Sequence, residues 1–190
     1  MIAIADAQLS KNQFSRPGVP LDRVMAIVVH YLGNPGQGPR GARDYWEGLK
    51  TQDAADKNPD VSASAHYVVG FKGEVLLAIP EEEKAYHCGG ASYTSTAQAF
   101  FGIYCSPQSS PNRVTIGVEL CHADTTGRPS IVTRSAAREL VRDLCQRHGL
   151  DPKRDLWRHW DITGPKANGV ICPKWFVEHP DDWAAFIASI

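Results

Sequence analysis

Two short apolar runs constrain this chain more than any other feature. Val24 to His30 reads VMAIVVH and Arg113 to Leu120 reads RVTIGVEL. Both are short and rich in β-branched residues, so each predicts a buried strand. Ser64–Phe71 and Val75–Ile79 flank the turn Lys72-Gly73-Glu74 and predict a β-hairpin, and Leu156–His159 predicts a further short strand. Such a sheet needs helical cover. Ala42–Lys50 puts Tyr45, Trp46 and Leu49 at helical spacing. Ser135–His148 carries Ala136, Leu140, Val141, Leu144 and Cys145 on one face and meets Gly149 where a helix cap belongs. Asp181–Ile190 predicts an amphipathic helix with Asp181 and Asp182 near its positive end. Strands and helices alternate without a strict βαβ repeat. The expected fold is therefore α/β, a single domain with a central mixed β-sheet flanked by helices. Residues 1–22, polar and carrying Pro17 and Pro20, are expected to form an N-terminal extended arm, with residues 23–190 as the domain proper. Gly89–Asn112 reads as a long surface loop with a helical turn near Gln98–Phe101.

Charge and composition narrow the partners. A net charge of −1 with scattered Lys and Arg offers no basic field for a phosphate backbone, so nucleic acid is not an expected partner. No stretch approaches the roughly 20 apolar residues that span a bilayer, so membrane insertion is not expected. The amino end, MIAIADAQLSKNQ, has no basic region before its short apolar start, and Asp6 interrupts that start. It does not read as a secretory signal, and synthesis in the cytoplasm is expected. Five cysteines at irregular spacings fit reduced thiols better than a disulfide framework. A length of 190 residues suits one domain, expected to be monomeric.

Chemistry-bearing residues gather at predicted strand ends. His30 closes a strand before a Gly-rich loop, and His159 and Cys172 bracket a second loop, DITGPKANGVICP. A catalytic zinc takes three protein ligands and leaves its fourth position to water or substrate, and two imidazoles with one thiolate satisfy that need. Their spacing matches no zinc finger. The alternative has His30 bonded to backbone, His159 at the surface and Cys172 as a small buried hydrophobe. Glu119 shares a strand face with Gly117, opposite the apolar Ile116, Val118 and Leu120, so a cleft face is plausible for it beside an edge-strand alternative.

Six strings then carry a resemblance. IVVHY at 27–31, SAHYVV at 64–69, YHCG at 86–89, TIGVELC at 115–121, RHWDITG at 158–164 and ICP at 171–173 occur in order. Together they resemble the type 2 N-acetylmuramoyl-L-alanine amidases, the family of phage endolysins and bacterial autolysins related to peptidoglycan recognition proteins. The opening SRPGVPLDRVMAIVVHYLGNPGQ resembles endolysins from phages and prophages of Gram-positive bacteria, and the likeness runs from about Ser15 to the end of the chain.

The resemblance implies a zinc amidase domain over 23–190, acting on peptidoglycan and leading to wall degradation and lysis. It places the Zn2+ ligands on His30, His159 and Cys172 and the proton-carrying acid on Glu119. A tyrosine used by another branch is replaced by Ala65. The lysine that family members carry two residues before the cysteine ligand is Val170 here, which leaves Lys166 as the candidate for stabilising the oxyanion. His87 corresponds to a histidine lining the substrate cleft, and a phage enzyme would reach the wall by a holin-type route.

For the remaining residues the expectations are plainer. His66 is a supporting group, and Asp161 either orients an imidazole or caps a turn. His122, His148 and His179 are expected at the surface, and Cys88, Cys105, Cys121 and Cys145 as buried thiols. Two rival functions stay open: a peptidoglycan receptor without hydrolysis, and a structural zinc site completed by His66, His87 or His122.

Overall fold

The computed structural model describes residues 2–53, 60–165, 169 and 171–190. Six strands form one mixed sheet: β1 (Ile4–Asp6), β2 (Ala26–Tyr31), β3 (Tyr67–Val69), β4 (Val75–Leu77), β5 (Thr115–Leu120) and β6 (Leu156–Arg158), in the order β1-β4-β3-β5-β2-β6. The two β-branched runs are its centre. β2 and β5 pair in parallel along their whole length, with His30 opposite Glu119. β3 and β4 form the expected antiparallel hairpin, with Gly73 at φ +80° where the turn demands a left-handed residue. These strands are shorter than the sequence suggests: at His66 the pairing becomes irregular, its carbonyl accepting from both the Ala78 and Ile79 N–H groups while its own N–H turns to the Gly117 carbonyl.

Seven α-helices cover the sheet among the described residues: α1 (Pro39–Gly48), α2 (Ser95–Phe101), α3 (Ile131–His148), α4 (Pro152–Asp155), α5 (His159–Thr163), α6 (Lys174–Glu178) and α7 (Pro180–Ala188). α3 begins four residues earlier than its apolar periodicity suggests. The Ser130 hydroxyl caps it by accepting from the Thr133 N–H, and Gly149 at φ +66° closes it. Within α1, Ala42 and Trp46 are buried while Tyr45 is exposed, so the core-facing stripe runs beside Tyr45 rather than through it.

Strand alternation divides the side chains into two layers. Ile27, Val29, Ile116, Val118 and Leu120 point to one face, where Leu140, Val141 and Leu144 of α3, Phe176 of α6 and Trp183 and Phe186 of α7 bury them. Each fully buried aliphatic there contributes roughly 1.5–3 kcal/mol. The other face carries two separate apolar clusters, one around Trp46, Val68 and Leu76 and one around Val28, Phe101 and Trp157. On that face β5 presents Thr115, Gly117 and Glu119 instead of large apolar side chains, and β2 ends in His30. A cleft opens there.

The first 22 residues do more than trail along the surface. Ile4–Asp6 adds β1 to the sheet edge beside β4, Leu9 and Phe14 are buried, and Arg16 pairs through two nitrogens with Glu83. Their two prolines sit outside the strand, which is why the segment pairs despite its turn-rich composition.

Candidate metal centre

β2 delivers His30 to the cleft. Its neighbour β6 ends at Arg158, so His159, the first residue of α5, emerges beside His30, their ring centroids 4.9 Å apart. Cys172 is brought in by backbone: the Trp160 N–H donates to its carbonyl at 2.7 Å. The ligand atoms of His30, His159 and Cys172 lie within 4.8 Å of one another, and all three residues are buried. Adjacent strand ends and one anchored loop thus assemble groups far apart in sequence.

The donor set fits zinc. His30 Nδ1 is 3.6 Å from Cys172 Sγ. Nitrogen and sulfur ligands of a tetrahedral zinc, at the usual bond lengths, are separated by about 3.6 Å. Two neutral imidazoles and a thiolate leave one net positive charge and one open position.

A hydrogen-bond chain behind His30 sets its tautomer. The Thr115 hydroxyl donates to the Pro111 carbonyl at 2.8 Å, so its oxygen accepts from His87 Nε2 at 3.2 Å. His87 Nδ1 then carries the lone pair and accepts the His30 Nε2–H at 3.0 Å. His30 Nδ1 is left with its lone pair aimed at the ligand cluster. Burial first, then the nearby His66 and His159 rings, holds the His87 pKa well below the ordinary histidine value, which keeps its acceptor bare. Gly117 makes room for this ring. A Cβ there would sit 2.7 Å from His87 Cγ.

His66 braces the same strand from beyond His87. Its Nδ1 accepts the Gly117 N–H at 2.9 Å and its Nε2 donates to the Glu83 carbonyl at 2.8 Å. Full burial lowers its pKa to about 4. His122 is buried, not exposed as the sequence suggested, with its ring held between the Asp124 and Leu32 carbonyls. His66, His87 and His122 are each engaged elsewhere, so none is placed as a fourth ligand. The structural-zinc alternative loses its candidates.

The cleft itself encloses about 600 Å³ and is lined by His30, Glu119 and His159 together with Trp46, Tyr86 and Thr163. Glu119 reaches it because its register partner is His30 and both side chains leave the same sheet face. His87 also lines it, although both its ring nitrogens serve His30 and Thr115. Lys166 lies outside the described residues. Asp161 turns out to cap α5, bonding the Arg158 N–H and its guanidinium rather than an imidazole. His148 is half-buried against Glu81 and His179 stacks on Trp175, so neither is simply solvated. Cys105 is partly exposed, whereas Cys88, Cys121 and Cys145 are buried, and all are free thiols.

The roles of Thr115 and Gly117 were missed from sequence. A glycine inside an otherwise apolar strand signals close approach by another group, and Gly117 carried that signal.

Comparison with known proteins agrees with this architecture. The family model for N-acetylmuramoyl-L-alanine amidase matches residues 20–175. The chain is 30% identical over 193 residues to N-acetylmuramoyl-L-alanine amidase BlyA of Bacillus subtilis strain 168, covering 98% of this chain and 46% of that protein. It is 33% identical over 186 residues to N-acetylmuramoyl-L-alanine amidase CwlL of Bacillus licheniformis, with coverage of 98% and 46%. It thus spans about half the length of these curated relatives. A mutant endolysin from Bacillus subtilis shares the fold at a TM-score of 0.68 and 22% identity, covering 100% of this chain and 99% of that one. With a family model covering most of its length, the chain belongs to the N-acetylmuramoyl-L-alanine amidase family.

Proposed function

We propose that this chain hydrolyses the amide bond between N-acetylmuramic acid and L-alanine in peptidoglycan, with zinc held by His30, His159 and Cys172. The observation that carries the proposal is the convergence of those three buried donors, two of which, His30 and His159, line a cleft together with Glu119. When bound, zinc supplies a Lewis acid that acidifies water and polarises a carbonyl.

Glu119 is the proton carrier. Its carboxylate takes a proton from the attacking water as the new C–O bond forms at the lactyl carbonyl carbon. It returns that proton to the L-alanine nitrogen as the C–N bond breaks, and the new carboxylic acid gives up the water's second proton to the amine, so the products are the muramic acid carboxylate and the peptide ammonium. His87 holds the His30 ring through the bond at its Nε2. Lys166 remains the sequence-based candidate for a further donor to the carbonyl oxygen.

An enzyme with this activity degrades cell walls. A phage or prophage origin, with cytoplasmic synthesis, holin-type release and action as a monomer, is the reading we attach to this activity on the resemblance of its motifs to endolysins. Among the described residues no helix is long and apolar enough to cross a membrane. Mass spectrometry of purified walls digested with the zinc-loaded protein tests the bond assignment. A new L-alanine amine is expected; new reducing sugar ends or a new amine elsewhere in the peptide would refute it.

A further inference from the structure

Beside one wall of the cleft lies a cation that the reaction does not use. Tyr86 lines the cleft, and the Lys84 ammonium sits over its ring, 4.6 Å from the centroid. The backbone fixes both residues: the Lys84 N–H donates to the Val19 carbonyl at 2.7 Å, and the Tyr86 N–H donates to the Ser64 hydroxyl at 2.9 Å.

Lys84 is half-buried, yet no carboxylate among the described residues lies within 4.0 Å of its ammonium. Of the acids nearest in sequence, Glu82 is exposed and forms no ion pair with Lys84 within 4.0 Å, and the other two are engaged elsewhere. Glu83 binds Arg16 and Lys11, and Glu81 binds Arg147, His148 and the Tyr67 hydroxyl. Arg113, the neighbouring cation, is already neutralised by two bonds to Asp22. Burial, and then the Arg113 charge, lowers the Lys84 pKa, as expected of an ammonium without a counter-ion.

The adjoining stretch of groove differs. It is lined by Gly89–Tyr93, Gln98, Cys105–Pro107, Ser109 and Ser110, with no charged side chain among them. Lys84 lies instead beside the Tyr86 side of the cleft.

We propose that Lys84, seated on the Tyr86 ring, binds a carboxylate of the substrate's stem peptide and makes the enzyme prefer stems that carry a free acid over those that carry the amide. This rests on the amidase reading of the same cleft. A carboxylate over Lys84 would supply the missing counter-charge, and Tyr86 would offer its ring to the peptide backbone beside it. Where the second stem residue carries a carboxamide, the ammonium gains no ion pair.

The test uses two soluble muropeptides differing only in carboxylate or carboxamide at the residue after L-alanine. For the full-length wild type, kcat/KM should favour the acid by about five- to tenfold, expressed in KM rather than kcat. Lys84→Met should bring the acid-to-amide ratio close to one, and Lys84→Arg should retain it. An unchanged ratio in Lys84→Met, or no preference in the wild type, would overturn the proposal. If the wild type cleaves neither substrate, the amidase reading fails, and calorimetric titration of the two free stem peptides decides Lys84 separately. Tighter binding of the acid that vanishes in Lys84→Met supports it; equal binding of both peptides by the wild type overturns it.

Discussion

Replacing Gly117 by alanine should damage the metal centre without touching a metal ligand. The added Cβ would lie 2.7, 2.8 and 2.9 Å from three atoms of the His87 ring. Ordinary van der Waals contact begins near 3.4 Å, so the ring must move by roughly 0.7 Å. It cannot swing away freely, because Thr115 holds one nitrogen and the Asn112 side chain accepts from the His87 backbone N–H. A displacement of that size along the bond to His30 stretches 3.0 Å towards about 3.7 Å, beyond hydrogen-bond reach. Loss of a partner that orients a metal-bound histidine typically costs 10–100-fold in metal affinity, or about 1.4–2.7 kcal/mol. Overpacking should also lower stability by about 1–3 kcal/mol. Zinc affinity is read by competition against a chromophoric chelator, with Gly48→Ala as the control, because nothing lies within 4 Å of a Cβ at that position. Wild-type zinc affinity in a folded Gly117→Ala protein would refute the claim that His87 positions His30.

Glu119→Gln should retain full zinc content while wall lysis falls by at least about 10²-fold, since the amide cannot carry the proton; near wild-type lysis would remove Glu119 from the reaction. His66 has a folded pKa of about 4 against an ordinary 6.5, so the unfolded chain binds the extra proton more readily between those values. Its stabilisation, about 3 kcal/mol at most, is complete above pH 6.5 and should be lost as pH falls towards 4. Urea midpoints in the presence of chelator should decline across that window and flatten in His66→Gln. Glu81 is lowered from 4.5 to about 2 because its bonds to Arg147, Tyr67 and His148 outweigh the opposing effect of burial. That stabilisation is complete above pH 4.5 and is lost as pH falls to about 2. Arg147→Met should raise the acid-unfolding midpoint, and an unchanged midpoint would show the cluster to be energetically idle.

The sheet was legible because its central strands are continuous β-branched runs that fit little else, and α3 because its apolar stripe repeats over several turns. The clustering of His30, His159 and Cys172 was legible through chemistry and ordered motifs, since they sit at element ends that strand pairing brings together. Other features were not. Ile4–Asp6 is too short for any periodicity, and only pairing with β4 makes it a strand. His122 looks like a loop histidine until the Leu32 and Asp124 carbonyls close around it. Whether Asp161 served an imidazole or a helix end depended on where Arg158 points, which spacing does not specify. His87 could be placed in the cleft from its motif, but its service to His30 depends on the alignment of Thr115 and Gly117 across two strands.

The central claim is that two histidines and one cysteine hold a zinc with an open position. X-ray absorption at the zinc edge of the loaded protein measures this directly. One sulfur at about 2.3 Å and three nitrogen or oxygen atoms at about 2.0–2.1 Å are predicted. A shell without sulfur, or with two sulfurs, would contradict the assignment of His30, His159 and Cys172.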